Sequence, residues 1–304
     1  MSDTHLGRGD TAVITGAGSG FGLELARLCA QRSMNIVAAD VQADALARAE
    51  NELQSLGAQV LAVRLDVSQA AEVEAMGRAT VERFGAPHLV FNNAGVGAGG
   101  LIWEHTLRDW EWVIGVNVMG VAHGVRVFTP LMLEAAEKDS SYEGHIVNTA
   151  SMAGLLSPPN MGVYNVTKHA VVALSETLYQ DLALVSDQVT CSVLCPYFVP
   201  TGIHNSQRNR PAEMREAAKP TRSQLIAQAM TQKAVTSGKV TAAMVAQYVL
   251  DAVRDDRFYI YSHPKALGSV QTRMEDVLQQ RNPSDPLKDA PDMGRQLRDA
   301  LRAK

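Results

Sequence analysis

Tyr164 and Lys168 stand four residues apart in a stretch, about 162–186, whose apolar spacing predicts a helix. Positions i and i+4 share a helix face, so an ammonium would sit beside a phenol. A free phenol ionises near pH 10 and is no base at neutral pH, but a neighbouring positive charge favours its phenolate. Such a pair suits removal of a proton from an alcohol while a hydride leaves its carbon. A hydride needs an acceptor, and the other end of the chain offers a place for one. Thr15-Gly16-Ala17-Gly18-Ser19-Gly20-Phe21-Gly22 follows a short β-branched run and precedes a helical stretch. Gly16, Gly20 and Gly22 give G-x-x-x-G-x-G; the commoner G-x-G-x-x-G cannot be fitted, because Phe21 occupies its last place. Glycines there allow a tight turn and close approach to a pyrophosphate, whose charge would be met by free N–H groups and the positive end of the helix dipole. Asp40 ends NIVAAD, where a carboxylate can accept hydrogen bonds from adenosine ribose hydroxyls; NAD is therefore expected rather than NADP. Asp66, in LDV, is read either as a partner for the adenine amino group or as a helix cap.

These residues need a scaffold, and the chain alternates strands and helices from Thr11 to about Tyr261. TAVIT (11–15), NIVAA (35–39), QVLAV (59–63), HLVFN (88–92), HIVNT (145–149), VTCSVL (189–194) and FYIY (258–261) read as seven strands. Their nearly unbroken hydrophobicity suits strands covered on both faces. Helices are expected at about 20–33, 43–57, 69–84, 107–136, 162–186 and 241–255. The fold class that follows is α/β, a Rossmann-type doubly wound, seven-stranded parallel sheet with helices on both faces. Residues 1–304 are read as a single domain with a core at about 11–262, a substrate lid at about 200–238 and a C-terminal extension at 263–304. In the lid, PAEMREAAKP and TRSQLIAQAM could each form a short helix. In the extension a helix at about 265–281 precedes the Pro/Asp-rich RNPSDPLKDAPD, read as a mobile or draped tail.

Together with TGAGSGFG, the order Asn92-Asn93-Ala94-Gly95, Asn117, Ser151 and Tyr164-Asn165-Val166-Thr167-Lys168 resembles the short-chain dehydrogenase/reductase family over about 11–262. The resemblance implies that Ser151 holds the substrate oxygen and that Tyr164 is the base. It implies that Lys168 bonds the nicotinamide ribose and that Asn117 supports a water relaying the proton. It further assigns NAD contacts to Gly16, Ser19, Gly20, Phe21 and Gly22, to Asp40, Asp66 and Val67, to Asn92, Ala94 and Gly95, and to Tyr164, Lys168, Val199 and Thr201. Val199 and Thr201 belong to Cys195-Pro196-Tyr197-Phe198-Val199-Pro200-Thr201, which departs from the family pattern in placing Tyr197 where a glycine is usual. A nicotinamide-dependent epimerase or dehydratase is an alternative on the same fold, as is a cofactor-sensing protein that has lost catalysis. The glycine register speaks against the first, and the intact Ser151, Tyr164 and Lys168 against the second.

The 304 residues carry a net charge of -4 and a pI near 6.1, without the basic footprint that phosphate-backbone binding requires, so no nucleic-acid partner is expected. No apolar run reaches the roughly 18 to 20 residues of a bilayer span, and MSDTHLGRGD lacks an apolar signal core; no membrane partner and a cytoplasmic location are expected. Cys29, Cys191 and Cys195 read as core thiols, and no metal site is expected. The resemblance implies a homodimer or homotetramer formed through 107–136 and 162–186. For the substrate, Leu101, Ile102 and Trp103 are expected at the mouth of the pocket with Met152 and Tyr197, facing Ile203, Met214, Leu225, Ile226 and Met230 of the lid. Arg208, Arg210, Arg215 and Arg222 are expected to solvate the lid's outer face. Such a pocket suits a bulky, mostly apolar or aryl secondary alcohol.

Overall fold

The computed structural model describes residues 6–215, 219–288 and 290–303. Seven strands form one all-parallel sheet: β1 (Thr11–Thr15), β2 (Asn35–Asp40), β3 (Val60–Arg64), β4 (Leu89–Asn92), β5 (Gly144–Thr149), β6 (Val189–Cys195) and β7 (Tyr259–Tyr261), in the order β3-β2-β1-β4-β5-β6-β7. Every strand falls within one residue of its expected bounds, because uninterrupted β-branched runs between turn residues have few other structures open to them.

Helices α1 (Gly20–Gln31), α2 (Ala43–Ser55) and α3 (Ala70–Phe84) serve the first half of the sheet. Side chains alternate across each strand, so neighbours on β1 enter different cores. Ala12 and Ile14 pack with Leu25 of α1 and with Val245 and Val249 of α8 (Ala242–Arg254), whereas Val13 packs with Met76 of α3 and with Phe128 and Leu178 on the other face. Leu178 lies on α6 (Gly162–Val185).

The helix expected at 107–136 is continuous from Leu107 to Lys138, with a π-turn inside it. It runs as α4 (Leu107–Ile114), a π-turn at Gly115–Met119, and α5 (Gly120–Lys138). By composition alone this stretch is long and apolar enough to cross a bilayer, contrary to the expectation from apolar runs. Val121, Phe128 and Met132 bury their side chains in the protein core instead.

In the lid, 3-10 turns at Gly202–Asn209 and Ala212–Met214 precede α7 (Arg222–Thr236). The helix expected over PAEMREAAKP is only that second turn at its start, and residues 216–218 lie outside the described residues. After β7 come a 3-10 turn at Pro264–Ala266, α9 (Leu267–Leu278) and α10 (Pro291–Arg302). The last was not expected; it starts at Pro291, at the end of RNPSDPLKDAPD, whose residues 281–288 hold no helix or strand. Pro291 at its first position, Asp292 in the first turn and Arg302 in the last are helix-compatible signals, and the helix packs on α7 with Leu297 buried.

Candidate active site

The carboxyl ends of the strands open onto one cleft of about 720 Å³, at the point between β1 and β4 where the strand order reverses. On one side lies the glycine turn. Gly16 and Gly20 have φ of 67° and 56°, values that side chains adopt at a cost. Ser19 precedes α1 without making a side-chain cap bond, and the first turn holds no acid, which leaves the leading amides open to an anion. Gly16, Ser19, Gly20 and Phe21 line the cleft. Gly22 does not. A Cβ there would stand 2.3 Å from the Gly16 carbonyl oxygen, so its missing side chain lets α1 seat against the turn.

Asp40 reaches the cleft from the end of β2, accepting hydrogen bonds from the Gly18 and Gln42 amides at 2.9 Å each. Asp66 and Val67 line it too. Asp66 Oδ1 accepts from the Ser68 amide at 2.9 Å, and the cap position of α3 belongs to Gln69, so Asp66 forms a turn ahead of the helix instead of capping it.

The strand β4 and the segment after it are tied to β1 by Thr15, whose hydroxyl accepts from the Asn93 and Ala94 amides at 2.9 and 3.1 Å. Ala94 and Gly95 face the cleft as expected, and Asn93 faces it where Asn92 was expected. The Asn92 side chain is buried between strands, its amide donating to Asn148 Oδ1 at 2.9 Å. Alternation explains the exchange: the residue still in the strand points into the structure, and the next one clears it.

Asn117 is likewise held out of the cleft. Sitting in the π-turn, its Oδ1 accepts from the Val96 amide at 2.8 Å, and its Nδ2 donates to the Val96 carbonyl at 3.0 Å and to Thr167 Oγ1 at 3.1 Å. The extra residue of the π-turn rotates the amide inward, where it braces the wall that Gly95 and Val96 form.

Ser151, Tyr164 and Lys168 converge on the cleft. Ser151 precedes a 3-10 turn at Met152–Gly154, its Oγ accepting from the Ala153 amide at 3.1 Å. Lys168 Nζ donates to the Thr149 carbonyl at 2.9 Å and lies 5.7 Å from the centre of the Tyr164 ring. Burial pushes the Tyr164 phenol up to about 12, opposed by its hydrogen bond with Ser151, and lowers the Lys168 ammonium to about 8. In the chain alone, desolvation thus outweighs the lowering of the phenol expected from the lysine.

Val199 and Thr201 line the cleft opposite the glycine turn, and a Cβ on Gly20 would stand 3.5 Å from Thr201 Cγ2. The backbone at Tyr197 stays outside the left-handed region, so nothing there demands glycine. Its amide donates to Ser262 Oγ at 2.9 Å and its ring lies 4.6 Å from that of Phe198.

The substrate wall differs most from expectation. Met152, Tyr197 and Ile203 line the cleft, while Leu101, Ile102, Trp103, Met214, Leu225, Ile226 and Met230 do not; Trp103 is 76% exposed. Arg208, Arg215 and Arg222 are exposed as expected, the first two at the edge of the cleft, whereas Arg210 lines the cleft and is buried. Sequence reasoning missed His105, Asp109 and Trp112 in the same wall. The capping box of Thr106 and Asp109 at the start of α4 was readable as T-x-x-D, but its meeting with Arg210, 101 residues away, was not.

Comparison with known proteins places this geometry. The short chain dehydrogenase family model matches residues 10–212. A CLA biosynthesis dehydrogenase/reductase of Lactiplantibacillus plantarum is 32% identical over 268 residues, 87% of this chain and 92% of its own. A C alpha-dehydrogenase of a Sphingobium strain is 30% identical over 96% of this chain and 92% of its own. A crystal structure of a short chain dehydrogenase/reductase from Burkholderia phymatum in complex with NAD superposes with a TM-score of 0.90, at 55% identity over 95% of this chain and all of that one. The chain belongs to the short-chain dehydrogenase/reductase family.

Proposed function

We propose that the protein is an NAD-dependent dehydrogenase that oxidises a bulky, largely apolar secondary alcohol, or reduces the matching ketone. The observation that carries this reading is the convergence of Ser151, Tyr164 and Lys168 on the cleft whose other side is the glycine turn and Asp40. The cradle fits a dinucleotide: Gly16 and Gly20 leave backbone exposed, α1 opens uncapped, and Asp40 stands where a ribose would lie. The relative from Burkholderia phymatum binds NAD, and a curated relative from an Acinetobacter strain, 36% identical over 54% of this chain, is a cyclohexanol dehydrogenase.

When bound, the nicotinamide cation supplies the hydride acceptor and a positive charge. Ser151 holds the alcohol oxygen, and Tyr164 takes its proton. Lys168 keeps an ammonium beside that ring while anchored to the Thr149 carbonyl. Asn117 holds the Val96 segment in place. Met152 and Tyr197 give the substrate an apolar bed.

The test is an absorbance assay of reduced nicotinamide with NAD and a panel of aryl and alicyclic secondary alcohols, polyols and short 2-hydroxy acids. Bulky alcohols should show the highest kcat/KM. Tyr164→Phe should keep NAD affinity and lose about 10² to 10⁴-fold in turnover. Turnover within a few-fold of the parent would sink the assignment.

A further inference from the structure

Two polar side chains in the substrate wall are buried without a full set of partners. Arg210 is 6% exposed. Its Nη1 donates to Asp109 Oδ1 at 2.6 Å and its Nε to the Met214 carbonyl at 2.7 Å, while its guanidinium carbon lies 5.1 Å from the centre of the Trp112 ring. Nη2 has no hydrogen-bond partner among the described residues. The His105 side chain is 2% exposed, and neither ring nitrogen has a hydrogen-bond partner there; Nδ1 faces Asp109 Oδ2 at 3.9 Å, beyond bonding range. Buried donors left idle carry the full cost of losing water, so each such group asks for an explanation. Both side chains line the cleft that Ser151 and Tyr164 share.

The surroundings specify what would answer them. Burial raises the Asp109 carboxyl, but the hydrogen bonds of the Thr106 amide and the Arg210 guanidinium outweigh it and draw the carboxyl below the usual range. Arg215, exposed at the rim, donates Nε to the Arg210 carbonyl at 3.3 Å and also lines the cleft. Glu104 is engaged by Ser223 Oγ at 2.6 Å. Arg210 Nη2 therefore asks for an acceptor to complete the wall, and a planar carboxylate is the acceptor that a guanidinium binds most strongly. The site is also near the chemistry. The Gly100 and Gly162 amides tie the segment before His105 to the start of α6, at 3.0 and 3.2 Å. A Cβ on Gly162 would stand 2.6 Å from His105 Nε2, two residues ahead of Tyr164. Between lie apolar walls that include Met152, Leu156 and Met161.

We infer that the substrate is an apolar-bodied secondary alcohol or ketone bearing a carboxylate remote from the reacting carbon, received by Arg210 Nη2 with His105 beside it. This deepens the dehydrogenase reading above and rests on it.

The test is calorimetric titration of the NADH-saturated protein with 4-acetylbenzoate and its methyl ester, and with the longer 4′-acetylbiphenyl-4-carboxylate and its ester, to span two reaches. At one length at least, the acid should bind about tenfold or more tightly than the ester. The double variant Asp109→Asn with Arg210→Met removes both charges together and should bring the acid-to-ester ratio near one. Arg210→Lys, which keeps a charge beside Asp109 but lacks the second terminal nitrogen, should lose most of the preference, and it serves if the double variant does not fold. Equal affinity for acid and ester at both lengths, or a preference that survives in both variants, overturns the inference. NADH consumption with the esters is read separately. Turnover without acid preference defeats the carboxylate site and leaves the dehydrogenase reading standing; acid preference without turnover of either form does the reverse.

Discussion

Single residues here are tuned by burial as much as by charge. Desolvation moves Tyr164 up to about 12 and Lys168 down to about 8, so each is pushed towards neutrality. A second positive charge beside the phenol would favour release of its proton, and the bound oxidised nicotinamide ring would supply one. Asp40 works differently, by exclusion. It already accepts two backbone amides and cannot turn away from the cleft without losing them. A 2′-phosphate beside it would meet like charge, which at about 4 Å costs on the order of 4 kcal/mol at an effective dielectric near 20. Asp40→Asn should therefore raise the NADP-to-NAD ratio of kcat/KM at least about tenfold. An unchanged ratio, measured side by side, would show that the discrimination lies elsewhere.

At the scale of elements, close approach decides which small residues are replaceable. Gly22 lets α1 sit against the turn, and a methyl group there meets backbone that cannot yield. Gly22→Ala should weaken NAD binding about tenfold or more and lower the melting temperature. Gly268→Ala, in α9 where a Cβ meets nothing within 4 Å, should instead raise stability by about 0.5–1 kcal/mol, as a better helix former does. Thermal melts of the two side by side test the contrast. Strand β5 carries a titratable liability. His145 is buried, with Nε2 2.7 Å from Ser192 Oγ and no partner for Nδ1 among the described residues, and burial lowers it to about 3. The unfolded chain takes up this proton near pH 6.5 and the native one does not until about 3. Stability is thus full above about pH 6.5 and falls as the pH drops through that window, by about 5 kcal/mol at most. His145→Gln should flatten the acid limb of a denaturation curve measured from pH 7 to 4; an identical slope in both proteins would remove His145 as its cause.

On the scale of the whole molecule, the C-terminal extension is part of the cleft. Ser269, Pro286 and Leu287 line it, and α10 buries Leu297 while packing on α7 of the lid. Helix α7 is therefore held from outside as well as from the core. Truncation after Arg281 should raise KM for bulky alcohols several-fold and leave NAD affinity nearly unchanged, since the glycine turn and Asp40 lie on the other side of β1. A loss of NAD affinity equal to the loss in KM would mean that the extension supports the fold and not the pocket.

The strands, the glycine turn and the Tyr164 and Lys168 pair were legible in the sequence because each rests on short-range rules: period, turn chemistry and helix spacing act within a few residues. Asn92, Gly22 and Asn117 were recognised as belonging to the site, but that the side chains of Asn92 and Asn117 bond to Asn148, Val96 and Thr167, and that Gly22 makes room against Gly16, was set by neighbours distant in sequence or across a turn. Which side chains line the substrate wall was decided by tertiary structure alone. Trp103 and Leu225 look like wall residues by composition and face solvent, while Arg210 looks like a solvated surface cation and is buried beside Asp109 and Trp112. A lid's inner face is set by what the rest of the chain offers it, here a carboxylate and an indole from α4, and no local pattern in residues 200–238 encodes a partner a hundred residues away.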